Sequence, residues 1–383
     1  MKARISDNFK SRLWLARTLK GWSQQELGTE VHVSRQFIHQ LESGEKLPRD
    51  DVFDAICEAL NVTDEFFHPT ALSELKSNQC HFRKRKTTPL GLTNRVLAFG
   101  TVFEEFIDYL SQYIEFPESR ISKFSSSVNH EGNYSRQEIE DIADQFREEY
   151  ALGLDAPIDN VTDLLENLGV LVTGFEGVSD KVDALSFARR YRVILRNTAK
   201  LSACRMRFDL AHELGHFILH EGIDTGDSTT EAEADYFASS FLFPRKAFVK
   251  EFAYCLHRAG GFNWRAILKL KERWKVSQKA IIYRAHSLGL IDSRQYRSAN
   301  VHFSKSKQSK QETLDDQIPM EVPGLIDSSL ELLRDESGIS FQEIIRNLGL
   351  DPIYMADMLG ISLEPDDLPQ LSNVSALPPQ RFT

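Results

Sequence analysis

Residues 211–220 read A-H-E-L-G-H-F-I-L-H, and the reading of the central part of the chain turns on this stretch. On an α-helix, positions four apart lie one turn above each other, so His212 and His216 present two imidazoles from one face. The pair can share one divalent metal, and Glu213 sits beside the first histidine, where its carboxylate can reach an activated water. Phe208, Leu210, Leu214, Phe217 and Ile218 make the segment an apolar helix, and Gly215 permits close approach of another backbone.

A third donor is expected downstream, in the helical stretch S-T-T-E-A-E-A-D-Y-F-A over 228–238. Glu231 is followed four residues later by Asp235 on the same face, which suits a carboxylate ligand backed by an acid that orients a ligand histidine. Glu233 has a different explanation: with Thr230 as N-cap it stands at the capping-box position. Ser228 would box Glu231 equally well, so capping does not decide between them; Glu231 is favoured and Glu233 stays open. His220, four beyond His216, reads as packing or as a support behind the metal.

The whole chain bounds these readings. Its 383 residues exceed one typical core, so two to four domains are expected. With 41% hydrophobic and 27% charged residues, the composition is that of a soluble globular protein. No apolar run reaches the roughly 18 residues of a membrane span, and the N-terminus lacks the apolar core of a signal peptide. Cys57, Cys80, Cys204 and Cys255 lie far apart without a C-x-x-C pair, which argues against a disulfide framework and a cysteine metal knuckle. A reducing cytoplasm without membrane attachment is the expected setting. The net charge of −10 is uneven: residues 1–49 hold nine Lys/Arg against five Asp/Glu, leaving −14 for the rest. That local surplus keeps a nucleic-acid partner open.

Residues 8–67 read as short helices with tight breaks. Ser23 and Glu26 form a capping box for a helix over 24–31, and Ser34 opens another over 35–41. Two short helices with a brief turn make a helix-turn-helix pattern. The sequence W-S-Q-Q-E-L-G-T-E-V-H-V-S-R-Q-F-I-H-Q-L-E-S-G-E-K-L-P resembles the DNA-binding domain of Xre/Cro-type repressors over about 60 residues. That resemblance implies a double-stranded operator partner and a homodimer. It places Ser34, Arg35, Gln36 and His39 at the major groove and Gln24 at a phosphate. His32 stands where the family usually has Gly, and His tolerates left-handed backbone better than most residues. Val33, Phe37, Ile38 and Leu41 read as core.

Further along, the run His81-Phe82-Arg83-Lys84-Arg85-Lys86 fits a phosphate clamp, or else a solvated hinge or a surface that docks on its own acidic neighbours. Residues 92–116 have helical period and read as an amphipathic helix serving core or a dimer seam. Ser135 caps a helix ending near Gly153, another covers 161–168, and short strands follow at 170–172, 184–188 and 191–195. Residues 292–318 are polar, 320–361 return to helical period, and the last 20 carry four prolines.

The segment 136–291 is similar to the ImmA/IrrE metallopeptidases through P-I-D-N-V-T-D-L-L-E-N-L-G-V, R-F-D-L-A-H-E-L-G-H-F-I-L-H, E-A-E-A-D-Y-F-A-S-S-F-L-F-P and W-K-V-S-Q-K-A-I-I-Y-R-A-H-S-L-G-L-I. The resemblance implies a zincin-like fold and zinc, in a family with members that cleave Xre-type repressors. Asp235 stands where the family commonly has Asn. Tyr283 and His286 are candidate oxyanion donors, neither assigned. The expected fold is therefore multidomain and mostly α: an all-α helix-turn-helix domain (1–68), a linker with a long amphipathic helix (69–134), an α+β zincin-like domain with a small sheet (135–292), a polar linker (293–319) and a C-terminal helical region with an extended tail (320–383).

Two functional readings follow. In one, a DNA-binding regulator is also a zinc endopeptidase that cuts a repressor-like or antitoxin protein, or itself in the 68–134 linker, in a stress, prophage or toxin–antitoxin setting. In the other, the metal domain of a repressor or toxin-binding antitoxin senses or scaffolds without proteolysis. The presence of Glu213 favours the first, because a sensor needs ligands but no general base.

Overall fold

The computed structural model describes residues 8–68, 73–84, 88–125, 127–128, 133–175, 182–199, 202–223, 225–257, 261–306, 308 and 311–361. The proline-rich last 20 residues and the Arg85-Lys86 end of the basic run lie outside them.

Four helices come first: α1 (Phe9–Lys20), α2 (Gln24–Glu30), α3 (Arg35–Ser43) and α4 (Asp50–Leu60). Ser23 and Glu26 form the expected capping box, and the Ser34 hydroxyl accepts from the Phe37 N–H at the start of α3. His32 adopts φ 55°, the left-handed turn that its position demands. At Gly28 an added Cβ would stand 2.8 Å from the Val33 carbonyl oxygen, so only glycine lets the turn fold back on α2. Ile38 and Leu41 are fully buried, whereas Val33 and Phe37 are only partly so.

Strand β1 (Cys80–Lys84) and helix α5 (Leu90–Leu110) follow, then α6 (Ile121–Ser125), α7 (Arg136–Glu149) and α8 (Val161–Asn167). Strands β2 (Val170–Phe175), β3 (Val182–Ala188) and β4 (Arg192–Asn197) lead into α9 (Ala203–Leu219) and α10 (Ser228–Leu242). The remaining helices are α11 (Arg245–Phe252), α12 (Trp264–Trp274), α13 (Gln278–Ser287), α14 (Ser293–Lys305), α15 (Leu325–Ser337), α16 (Phe341–Asn347) and α17 (Pro352–Leu359). The strands form one sheet in the order β1-β3-β4-β2, with β2 and β4 parallel and β3 antiparallel to both neighbours.

Successive strand side chains point to opposite faces, and here the two faces serve two cores. Leu171, Phe175, Leu185, Phe187, Val193 and Leu195 join a core shared with α1, α4, α5 and the C-terminal helices. Val170, Val172 and Ile194 join the core built by α7 to α13 around α9. Helix α5 lies flat on the first face: an added Cβ at Gly100 would stand 2.7 Å from the Leu75 side chain and 3.3 Å from the Phe187 ring. It is buried on nearly every side, so its periodicity reports core. Arg12 of α1 reaches Glu105 of α5 at 2.5 Å and the Phe66 carbonyl at 2.7 Å, tying the first four helices to α5.

Several segments differ from their sequence reading. Over 80–84 the basic run is not a hinge: it is the edge strand β1, paired with β3 over Cys80–Lys84. Phe82 is buried, but its apolar alternation is obscured by the charges beside it. The polar stretch 293–319 carries α14, and Lys271 is buried between Glu312 at 3.1 Å and Asp315 at 2.5 Å. Glu321 pairs with Arg207 and accepts from the Val161 and Thr162 N–H groups at the start of α8. The C-terminal helices pack on β2 and α5 and also reach the N-terminal unit, where Thr63 N donates to Gly349 O and Val62 bridges to Leu350.

Candidate metal centre

Helices α9 and α10 make the most extensive helix–helix contact of the fold, and Gly215 is what lets them approach. A Cβ there would stand 3.1 Å from the Phe237 ring and 3.3 Å from Ala234 Cα. The close crossing brings Glu231, in the first turn of α10, over the histidine face of α9. His212 Nε2 lies 3.1 Å from His216 Nε2 and 3.5 Å from Glu231 Oε2, and Glu231 Oε1 lies 3.4 Å from His216 Nε2. Among the described residues, His212, His216 and Glu231 form the group that could hold a metal ion, with donor atoms within 4.8 Å of one another.

The donor set fits a divalent cation. Ligands about 2.0–2.1 Å from a tetrahedral centre stand about 3.3–3.4 Å apart, and the three separations bracket that value. The protonation pattern agrees. Asp235 Oδ1 lies 2.9 Å from His212 Nδ1, so that nitrogen carries the proton and Nε2 offers a lone pair. For His216 the same result comes through a longer path. Glu233 Oε2 accepts from His220 Nε2 at 2.8 Å, which leaves His220 Nδ1 as an acceptor. That atom lies 3.0 Å from His216 Nδ1, which must then donate, so His216 Nε2 is again unprotonated. Two lone pairs and a carboxylate thus converge on one point, an arrangement that repels unless a cation sits between them.

Electrostatics support neutral imidazoles. Burial holds His216 well below the usual histidine range and lowers His220 against the pull of Glu233. For Glu231, burial pushes upward, but its place beside His212 and His216 pulls it down by more, so it stands as a carboxylate. Glu213 is fully buried, and its Oε2 accepts a short hydrogen bond from the Ser186 hydroxyl of β3.

The two glutamates left open by the sequence are therefore separated by position. Glu231 stands with the histidines, while Glu233 points to His220 and accepts from Tyr134 N at 2.8 Å. Neither Thr230 nor Ser228 is the N-cap: Asp227 caps α10, so the capping-box explanation of Glu233 falls away. His220 is more than packing, since it links Glu233 to His216. Its spacing of four from His216 was the signal. Ser186 had no such signal, because its partner lies 27 residues away. Tyr283 shares a cavity wall with Asp235, Asp209 and Phe208, and burial and then Asp235 raise its hydroxyl pKa. His286 stacks on Tyr296 at 4.5 Å and bonds Ser293.

At the other end of the molecule, Arg35, Gln36 and His39 are exposed along α3, with Ser34 at its start. Gln24 is half-buried, and its amide donates to Glu42 Oε2 at 2.7 Å. Arg17 forks the same carboxylate at 2.6 and 2.9 Å, so the Gln24 side chain serves the contact between α2 and α3. Arg12 and Arg17 are thus neutralised inside the fold, which trims the basic surplus that faces solvent.

Residues 165–286 match a peptidase family model described as IrrE N-terminal-like domain, and residues 15–67 match one described as Helix-turn-helix. His212, Glu213, His216, Glu231 and Asp235 all fall within the first match, and Gln24, Ser34, Arg35, Gln36 and His39 within the second. No curated protein matches the chain. No helix among the described residues is long and apolar enough to cross a membrane.

Proposed function

We propose that this chain, which joins an Xre-like helix-turn-helix DNA-binding domain to an IrrE/ImmA-type metallopeptidase domain, is a transcriptional regulator that cuts a regulatory protein with zinc bound by His212, His216 and Glu231. The observation that carries this reading is the convergence of two unprotonated Nε2 atoms and a carboxylate beside a buried Glu213. A sensor or scaffold needs only the ligands; a buried acid directly beside a ligand in the helix is the further group that hydrolysis requires.

Bound zinc would supply Lewis-acid polarisation of the scissile carbonyl and a more acidic water. The chain's own groups do the rest. Glu213 takes the proton of the attacking water and passes it to the leaving amine, and Ser186 holds the Glu213 carboxylate in one orientation through its Oε2. Asp235 and the Glu233–His220 pair fix the tautomers of His212 and His216. Tyr283, which burial keeps protonated and which lines a cavity with Asp235, is the candidate donor to the developing oxyanion.

Arg35, Gln36 and His39, with Ser34 at the helix start, are the groups for the major groove of an operator, read by a homodimer across a two-fold site. A peptidase carried by a DNA reader acts where regulatory proteins gather, so its target is a repressor-like or antitoxin protein. The test compares wild type with Glu213→Gln for zinc content and for cleavage of the proteins encoded beside its gene. Both forms should hold one zinc, and only wild type should cut. Full zinc occupancy with no Glu213-dependent cleavage of any neighbour favours the sensor reading instead.

A further inference from the structure

We propose that the outer edge of β3 is where an extended peptide substrate is held, and that β1 of this chain already occupies that edge as a cap which substrate must displace. For the use of the edge, the inference rests on the peptidase reading; for the occupant, it rests on geometry alone. A protease that cuts within a chain needs its substrate extended, and strand addition to a sheet edge provides this with main-chain hydrogen bonds. Strand β3 reaches the centre through Ser186 on Glu213. Its outer edge is therefore the one from which a bound strand would pass the metal ligands.

That edge is filled from within. Strand β1 runs antiparallel to β3 with Cys80 opposite Phe187, His81 opposite Ser186 and Phe82 opposite Leu185. His81 thus shares a sheet face with the serine that holds Glu213. Its ring stacks on His216 with centroids 4.7 Å apart and planes 4° from parallel, and its Nδ1 meets Thr225 Oγ1 at 2.6 Å. Among the described residues His81 is not part of the donor group, so it covers a ligand without replacing one.

The cap is built to be exchangeable. It is five residues long, its pairing shifts register between Arg83 and Lys84, and its buried apolar anchors are Cys80 and Phe82. About 100 residues separate it from its partner strand in sequence, so nothing local holds the two together. Its approach is fastened to α5, where Leu75 N donates to Thr101 Oγ1 at 3.0 Å, and to the turn after β3, where Arg189 donates to Ser73 O at 2.9 Å. Helix α5 is in turn paired to α1 of the DNA-binding domain through Arg12 and Glu105. The approach to the cap is therefore tied on one side to α5, and through it to α1, and on the other to the turn after β3.

The test uses the full chain, zinc-loaded and carrying Glu213→Gln throughout so that nothing is cut. The probe is a fluorescent nonapeptide with the sequence of residues 78–86, followed by anisotropy. Phe82→Pro removes the buried ring and a backbone donor from the cap, and should bind the probe at least tenfold more tightly than the chain with intact β1. Should Phe82→Pro not fold, amide exchange in the chain with intact β1 decides: β1 should open and exchange well before the β2–β4 ladder. Equal probe affinity with and without the substitution overturns the proposal, as does exchange of β1 as slow as that of β2 and β4. Restoring Glu213 and finding cleavage within 80–84 also overturns it, because β1 would then be substrate and not cap. A chain that binds the probe as expected but never cuts any protein would leave the cap standing and remove the peptidase reading.

Discussion

Glu233→Gln should weaken metal binding although Glu233 is no ligand. As a carboxylate, Glu233 accepts two hydrogen bonds, from Tyr134 N at 2.8 Å and from His220 Nε2 at 2.8 Å. Gln has one acceptor oxygen for these two donors. If the oxygen stays with Tyr134, the amide N–H faces His220 Nε2, which must become the acceptor. His220 Nδ1 then carries the proton and donates to His216 Nδ1, and His216 shifts its own proton to Nε2, the atom aimed at the metal. If the oxygen turns to His220, two donors meet at Tyr134 in a half-buried place, at a cost of about 1–3 kcal/mol. Loss of such a supporting group typically lowers metal affinity about 10–100-fold, equivalent to about 1.4–2.7 kcal/mol. Zinc competition against a chromogenic chelator measures this directly. Asp235→Asn is the internal contrast: its amide oxygen can still accept from His212 Nδ1, so its loss should be smaller. Zinc affinity of Glu233→Gln within twofold of the parent would refute the tautomer relay.

Three other outcomes follow from the same structure. Stripping the metal with a chelator should lower Tm, since a ligand at about 100 times its Kd stabilises the native state by about 2.7 kcal/mol; an unchanged melting curve would mean no ion is held. Arg284 forks Glu140 at 2.6 and 2.7 Å in the interior between α7 and α13. Arg284→Met leaves that carboxylate buried and uncompensated, so urea unfolding should report a loss of about 3–5 kcal/mol, and a loss below 1 kcal/mol would contradict it. Arg35→Ala and Gln36→Ala should each weaken specific operator binding by about 1–3 kcal/mol in a footprint while leaving zinc content unchanged; unaltered binding would move readout off α3.

Local spacing carried most of what could be read in advance. The four-residue interval between His212 and His216, the capping box at Ser23 and the left-handed turn at His32 are each set by neighbours within one helical turn, and all three stand in the structure. Glu231 was separable from Glu233 only by half, because both helix-capping schemes assumed the wrong cap and Asp227 takes that place. What escaped was non-local. Strand β1 reads as charge because Arg83 and Lys84 follow Phe82, and its partner lies a hundred residues on. Lys271 with Glu312 and Asp315, and Arg207 with Glu321, turn a polar, linker-like stretch into part of the interior through pairings without a periodic signature.

The sheet's outer face has a practical consequence. Leu171, Phe175, Leu185, Phe187, Val193 and Leu195 are roofed by α5 and the C-terminal helices, which lie outside the matched peptidase segment. A shortened protein trimmed to residues 135–292 would present these six side chains to water as one contiguous apolar surface, of the kind that drives self-association. It would also lack β1, exposing the β3 edge to strand pairing between copies. Precipitation of such a fragment would then report a missing roof, and inactivity measured on it would say nothing about Glu213.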